Sequence, residues 1–273
     1  MKNFKKMQAI ALLLLTVTSF IASAKSPSVN SQLNVNETHA KPAKKSVVQT
    51  QLDKAIKEEK AVFLVVTGAN VTNVSNALIL ANNANAKYKN AVVVKLDRDN
   101  TINTSLVRKF GLAGVPLPLI LVISPKGAPV AGLELNKATV EKIVNAIPSP
   151  KEDDILVAIN NKKPVFVFVS KKTNSDRAAI LANCKAANKQ LKGAGVIIEI
   201  NPTDEKEQNF LKNLSTGGFA NASYVFVFNA SGQATGTFSG NAETASLVAA
   251  AKKVIKRGGC CPGGAPAGGC GSK

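Results

Sequence analysis

Two stretches of the chain alternate short apolar runs with longer helical patterns, and the order is the same in both. Each begins with a short helix pattern and a run rich in β-branched residues and Phe, followed by a long helix, a second run and a shorter helix. A third run then leads into a hairpin and a last helix. The apolar runs are residues 61–66, 92–96 and 119–123, then 164–169, 196–200 and 224–228. The pattern predicts an α/β fold, with helices flanking a central mixed sheet in each stretch.

The second stretch repeats the first about a hundred residues later, which indicates a duplication. The clearest match follows the third run, where Ser124-Pro125-Lys126-Gly127 corresponds to Asn229-Ala230-Ser231-Gly232. Both segments predict a hairpin turn with Gly at a positive φ. The sequence therefore predicts two domains, residues 48–149 and 150–257. Their first helices are expected at 48–60 and 154–161, and their last helices behind Asn136 and Asn241 as N-caps.

The two ends of the chain do not share this periodicity. Residues 1–24 predict a signal peptide, with lysines ahead of an apolar run that is shorter than the ~20 residues of a spanning helix, and Ala22-Ser23-Ala24 as the cleavage site. Residues 25–47, which contain the sole histidine, His39, predict a flexible linker, and residues 258–273 a Gly- and Cys-rich flexible tail. We therefore expect a periplasmic or secreted protein without a transmembrane segment after cleavage.

The charge of the chain is strongly basic. Loss of Lys2, Lys5 and Lys6 with the signal peptide lowers the formal charge from +18 to +15. Such a surface favours a protein partner or an acidic envelope component. Nucleic acid is not the expected partner, because aromatic residues make up only 5% and lysines outnumber the four arginines, which are Arg98, Arg108, Arg177 and Arg257.

The predicted order β-α-β-α-β-β-α, with an extra helix at its start, resembles the thioredoxin fold over residues 48–148 and 152–256. Enzymes of that family carry Cys-x-x-Cys where the first strand of the core meets the long helix, since the helix N-terminus lowers the thiol pKa there. This chain has Thr67-Gly68-Ala69-Asn70 in the first copy and Ser170-Lys171-Lys172-Thr173 in the second. The usual dithiol mechanism is therefore absent from both copies.

A second family feature precedes the third run of the first copy. Gly114-Val115-Pro116 resembles the Ile-Pro or Val-Pro step that thioredoxins hold in cis beside the active site. The resemblance implies a cis Val115–Pro116 bond and a binding surface formed by Val115 and Pro116 with residues Thr67 to Asn70. The second copy has Gly218-Phe219-Ala220 instead and lacks the proline.

The four cysteines lie away from both of these positions. Cys184 falls within the long helix of the second copy, where we expect a small, half-buried side chain. The tail carries Cys260, Cys261 and Cys270 among glycines and prolines. These three could bind a soft metal ion, act as a mobile redox arm or form a disulfide with another chain, or they could be inert and oxidised. Their spacing matches no strong motif and leaves these alternatives open.

Two functional hypotheses follow. The first is an exported, non-catalytic binding or scaffold protein without a cofactor or catalytic residues, similar to the redox-inactive domains of protein disulfide isomerases. The second is a thiol–disulfide oxidoreductase or soft-metal-binding protein that acts through the C-terminal cysteines. With a single histidine in the linker, most histidine-based catalysis is excluded.

Overall fold

The computed structural model of the chain describes residues 45–214, 219, 222–240 and 242–255. The predicted signal peptide, nearly all of the linker and the three tail cysteines lie outside these residues. The described part contains two copies of one α/β arrangement.

The first copy has four helices and four strands. They are α1 (Val47–Lys57), β1 (Ala61–Thr67), α2 (Val74–Tyr88), β2 (Ala91–Asp97), α3 (Thr104–Lys109), β3 (Leu119–Ile123), β4 (Pro129–Glu134) and α4 (Val140–Asn145). A 3-10 turn, Thr101–Asn103, leads into α3. The predicted order of elements is confirmed.

The second copy has the same elements in the same order. They are α5 (Pro150–Asn160), β5 (Val165–Val169), α6 (Arg177–Gln190), β6 (Val196–Ile200), α7 (Gln208–Leu214), β7 (Tyr224–Phe228), β8 (Ala234–Ser239) and α8 (Thr244–Lys252). A 3-10 turn, Glu205–Glu207, again precedes the short helix. The limits of the two domains, at 48–149 and 150–257, remain predictions.

The two sheets have the same topology. The strand order is β2-β1-β3-β4 in the first and β6-β5-β7-β8 in the second. In each, the first two strands of the copy are parallel, and the hairpin that follows pairs antiparallel with the first strand. Both hairpins also shift register at the same place, between Val122 and Ile123 and between Val227 and Phe228. Each half is therefore a central mixed sheet flanked by helices, as the sequence predicts.

Serine N-caps explain where the first helix of each copy begins. Ser46 accepts a hydrogen bond from the Gln49 amide, and Ser149 forms a reciprocal capping box with Glu152, with Pro150 in the first turn. The second of these helices therefore begins four residues before the predicted start at residue 154, because Ser149 caps it and Pro150 already has the backbone φ of a helix.

The predicted N-caps of the last helices were wrong. Asn136 lies in a turn that leaves β4, and α4 begins only after Thr139, whose hydroxyl accepts from the Lys142 amide. The turn is closed by amide hydrogen bonds of residues 137 and 138 to the Glu134 carbonyl, so the chain is still leaving the strand at Asn136. In the second copy, α8 begins after Glu243, and Asn241 lies outside the described residues.

An isoleucine from the first helix of each copy lies beneath the hairpin turn. A Cβ at Gly127 would stand 2.8 Å from Cδ1 of Ile56, and one at Gly232 would stand 2.7 Å from Cγ2 of Ile159. Both glycines have positive φ, +86° and +74°. The turn therefore needs glycine for two reasons: the backbone has a positive φ, and any side chain would clash with the isoleucine.

The first copy also contacts the helix that opens the second. The buried Asp153 of α5 accepts a hydrogen bond from the Lys126 amide, in the β3–β4 turn, at 3.0 Å. The Lys126 ammonium pairs with Asp154. On the other side, Glu207 accepts from the Ser149 hydroxyl at 2.6 Å and from the Lys151 amide at 2.9 Å. The start of α5 is thereby fixed to both halves of the chain.

Candidate functional site

In the first copy, the loop after β1 is held by a carboxylate from the loop after β2. Asp99 Oδ2 accepts a hydrogen bond from the Ala69 amide at 2.7 Å. The same oxygen would lie 2.5 Å from a Cβ at Gly68, so only glycine admits the carboxylate this closely. This is the corner at which the family's dithiol would stand, and here a carboxylate caps the loop.

The side chain of Arg98 links that loop to the Val115–Pro116 segment. The Arg98 backbone amide donates to the Thr67 carbonyl at 2.8 Å, and its Nη1 donates to the Val115 carbonyl at 3.0 Å. Its Nε lies 3.5 Å from Asp99 Oδ1. One Arg-Asp pair thus ties together the two segments that the sequence predicts as a binding surface. Asn70 is exposed, with a positive φ of 59°.

The prediction of a cis Val115–Pro116 bond was wrong. The cis bond of the described chain is Leu117–Pro118, two residues later. Pro118 directly precedes β3, which begins at Leu119. Pro116 lies two residues earlier in the chain and is exposed. Two X-Pro bonds, Val115–Pro116 and Leu117–Pro118, precede β3. The resemblance to the thioredoxin family pointed to the first of them, and the second is the cis bond.

The same corner of the second copy is closed by hydroxyl groups. Ser170, directly after β5, lies 2.8 Å from the Ser223 hydroxyl, which donates to Asp176 Oδ1 at 2.6 Å. The Ser223 amide also donates to Asp176 Oδ2, at 3.2 Å. Ser170 and Ser223 are 5% and 0% exposed, so neither hydroxyl is accessible to a substrate. It fastens the loop after β5 to the start of β7.

Cys184 is fully buried in α6 rather than half-buried as predicted. It packs among Phe166, Phe168 and Ile180 on one face of the second sheet. Burial, with a smaller contribution from the charge of Glu199, raises the pKa of the Cys184 thiol to about 12. A thiol in this state is a core side chain and not a nucleophile.

An open groove lies beside the Val115–Pro116 segment. Its volume is about 500 Å³, and it runs between the end of α3, the β3–β4 hairpin and the end of α5. Leu119 and Leu121 of β3 line it, both on the face that carries the α1 and α3 core. Val115 and Pro116 also line the groove, whereas Thr67 to Asn70 do not.

The charged residues that line the groove are mostly cationic. Arg108, Lys109 and Lys162 are exposed, and none of them forms an ion pair with a carboxylate in the described part of the chain. Glu134, the carboxylate among the lining residues, is already paired with Lys137 at 2.9 Å. The groove therefore presents apolar surface beneath cations that form no close ion pair within the described residues.

The second copy has larger side chains at the matching positions. Tyr224 and Phe226 stand where Leu119 and Leu121 begin β3, and Phe219 precedes them. The three rings form one cluster, with centroids 5.3 Å apart for Phe219 and Tyr224 and 6.0 Å apart for Phe219 and Phe226. Aromatic side chains thus stand in the second copy at the positions of smaller residues that line the groove in the first.

Sequence reasoning found two of the groove residues, Val115 and Pro116, and missed the cations and β3 leucines. The sequence did contain one signal for the groove: the side chains of Leu119 and Leu121 in β3 are smaller than those of Tyr224 and Phe226 in β7. Within the described residues, no group of three or more His, Cys, Asp or Glu side chains is arranged to hold a metal ion. Among the same residues, no helix combines the length and the apolar character needed to cross a bilayer.

Comparisons with known proteins give only distant structural likeness. No family model and no curated protein matches the sequence. Among solved structures, the first two thioredoxin domains of Saccharomyces cerevisiae Eps1p match 74% of this chain and 96% of that chain, at 13% identity and a TM-score of 0.27. Zinc-bound human ERp44 matches 71% of this chain and 54% of that chain, at 9% identity and a TM-score of 0.29. The alkylhydroperoxide reductase protein AhpF of Enterococcus faecalis matches 74% of this chain and 95% of that chain, at 13% identity and a TM-score of 0.23.

Scores this low carry no information on activity. The parallel first pair and the antiparallel hairpin make each sheet the mixed sheet that the sequence predicts, and the two sheets share one strand order. On that topology, the chain is a tandem pair of thioredoxin-like domains.

Proposed function

We propose that this chain is an exported, non-catalytic thioredoxin-like binding protein that recognises an acidic segment of a partner protein through the groove of its first domain. The observation that carries the proposal is the groove itself, with its apolar floor and with Arg108, Lys109 and Lys162, which form no ion pair with any carboxylate among the described residues. Desolvated apolar contacts would supply affinity, and complementary charge would select the partner and speed its association.

The closed corners of both domains support a role without thiol chemistry. A carboxylate caps the loop in the first domain and hydroxyls fasten it in the second, so neither loop is arranged to present a reactive group. Cys184 is buried with a raised pKa. A chain truncated at Gly258 should therefore reduce insulin disulfides no faster than the uncatalysed background. Turnover by the full mature chain alone would favour the alternative, an oxidoreductase that acts through the tail.

Peptide binding measured by fluorescence anisotropy tests the groove. Peptides of equal length with acidic, neutral or basic residues between the same apolar residues should rank in that order, and affinity for the acidic peptide should fall as salt rises. Leu121→Phe places the side chain of the second domain in the groove of the first. It should weaken the acidic peptide about tenfold, roughly 1.4 kcal/mol.

Charge reversal gives an independent arm of the same test. Lys162→Glu should weaken the acidic peptide several-fold, mainly through slower association. Lys185→Glu, an exposed lysine of α6 outside the groove, is the matched control and should leave affinity unchanged. Equal affinity for all three peptides, or equal effects of the two reversals, would contradict the proposal. Export is tested separately, by whether the mature protein begins at Lys25.

A further inference from the structure

The strand β4 borders the groove with its free edge. In the first sheet β4 pairs with β3, and no other described strand lies beside it. Its backbone N–H and C=O groups on the outer side are therefore without a strand partner among the described residues. A strand edge of this kind is a template for pairing with another extended chain.

The lining of the groove shows how it runs relative to that edge. Ala131 and Gly132, which pair in regular register with Val122 and Leu121, both line it, as do Pro129 and Val130 at the register shift. Since successive side chains of a strand point to opposite faces of the sheet, a groove over one face alone would be lined by alternate residues. Residues of both faces line this groove, so it follows the edge of the strand.

The devices that usually block such pairing, a proline and a register shift, lie only at the start of this edge, at Pro129 and Val130. Proline stands only at the first position, and Val130 to Leu133 carry no charge and are not buried. Glu134, at the far end, is paired with Lys137. Arg108, near the end of α3, and Lys162, just after α5, line the same groove. The occupant that fits is an extended chain with acidic side chains, because its backbone meets the edge while its charges meet the cations.

We propose that the acidic partner segment binds as a fifth strand of the first sheet, hydrogen-bonded to the outer edge of β4. This inference rests on the proposed function and gives its binding mode. Backbone pairing would supply much of the affinity, and alternate side chains would reach either the apolar floor or the cations. Any acidic segment that can adopt an extended conformation would then be a ligand, with little dependence on its exact sequence.

Hydrogen exchange tests the pairing directly. The probe is an acetylated peptide of about nine residues in which glutamates alternate with valines, added at saturation to the full mature chain. Alternate amides of β4 should exchange fast in the free protein and at least about tenfold slower in the complex. The amides of β8, the corresponding edge strand of the second domain, should not change and serve as the internal control.

Backbone N-methylation of the peptide gives the second measurement. A methyl group at every second peptide position removes an N–H that strand pairing needs, while methylation at the intervening positions does not. One series should therefore bind at least about tenfold more weakly, and the other within about threefold of the parent. Unchanged β4 exchange together with no alternation, for a peptide that still binds in the groove, would overturn strand addition and leave the proposed function standing. A peptide that does not bind at all would overturn both.

Discussion

The thiol of Cys184 should be almost inert in the folded protein, and the structure allows the size of the effect to be worked out. At a pKa of about 12, roughly one thiol in ten thousand is ionised at pH 8, against about a quarter of a free cysteine at 8.5. The thiolate of a weaker acid is more nucleophilic, which recovers about 25- to 50-fold. Ionisation alone therefore slows alkylation about 50- to 100-fold. Because the side chain is 0% exposed, reaction must also await local opening, which slows it further.

The assay is iodoacetamide alkylation of the mature chain, followed by peptide mass mapping over time. Ala182→Cys adds an exposed thiol on the same helix, so the two rates are compared within one molecule. Because burial raises the pKa of Cys184, its thiol form is retained as pH rises, and its rate should climb with each pH unit up to about pH 12. The control should level off near pH 8.5. In guanidinium both should react alike. Alkylation of Cys184 within tenfold of the control in the folded protein would refute this reasoning.

Three further outcomes are expected from the polar contacts. Glu207→Ala removes two hydrogen bonds to a buried carboxylate and should lower the free energy of unfolding by about 2–3 kcal/mol in urea titrations, whereas Glu205→Ala, at an exposed position, should change it by less than about 0.5 kcal/mol. Burial raises the pKa of Asp153, so its ionised form costs stability that is regained as pH falls. The stability of Asp153→Asn relative to the parent should accordingly be more favourable at pH 7 than at pH 4, and an equal difference at both pH values would contradict this. Gly68→Ala places a Cβ 2.5 Å from Asp99 Oδ2, at the end of an exposed side chain that can shift, and should cost no more than about 1 kcal/mol; a larger loss would show that this carboxylate is held in place.

The fold could be predicted because its signals are local and occur twice. Uninterrupted apolar runs such as residues 61–66 predict strands buried on both faces, and every residue of β1 is indeed buried. The matching hairpin turns then fix the order of elements in both copies. Helix starts were less predictable, since Ser149 and Thr139 as N-caps compete with nearby residues of equal propensity.

The candidate site was less accessible to sequence reasoning because its contacts join distant segments. Asp99 lies 30 residues from Ala69, and Ser223 lies 47 residues from Asp176. No spacing rule connects such pairs before the strands are ordered. The groove is harder still, because it arises from leucines that are smaller than the aromatic residues of the second copy, and small apolar residues carry no chemical signature of their own.

The isoleucine beneath each hairpin turn has a consequence for how the two copies can diverge. A side chain at Gly127 or Gly232 would meet both an unfavourable backbone conformation and the atoms of Ile56 or Ile159. A helix residue and a turn residue far apart in the chain are therefore constrained together, in each copy separately. Among descendants of this duplication, a residue other than glycine at the turn should occur only with a smaller residue at the helix position. Substitution of that isoleucine alone should be tolerated more often. The turn glycine should therefore remain the same in both copies for longer than the residues around it.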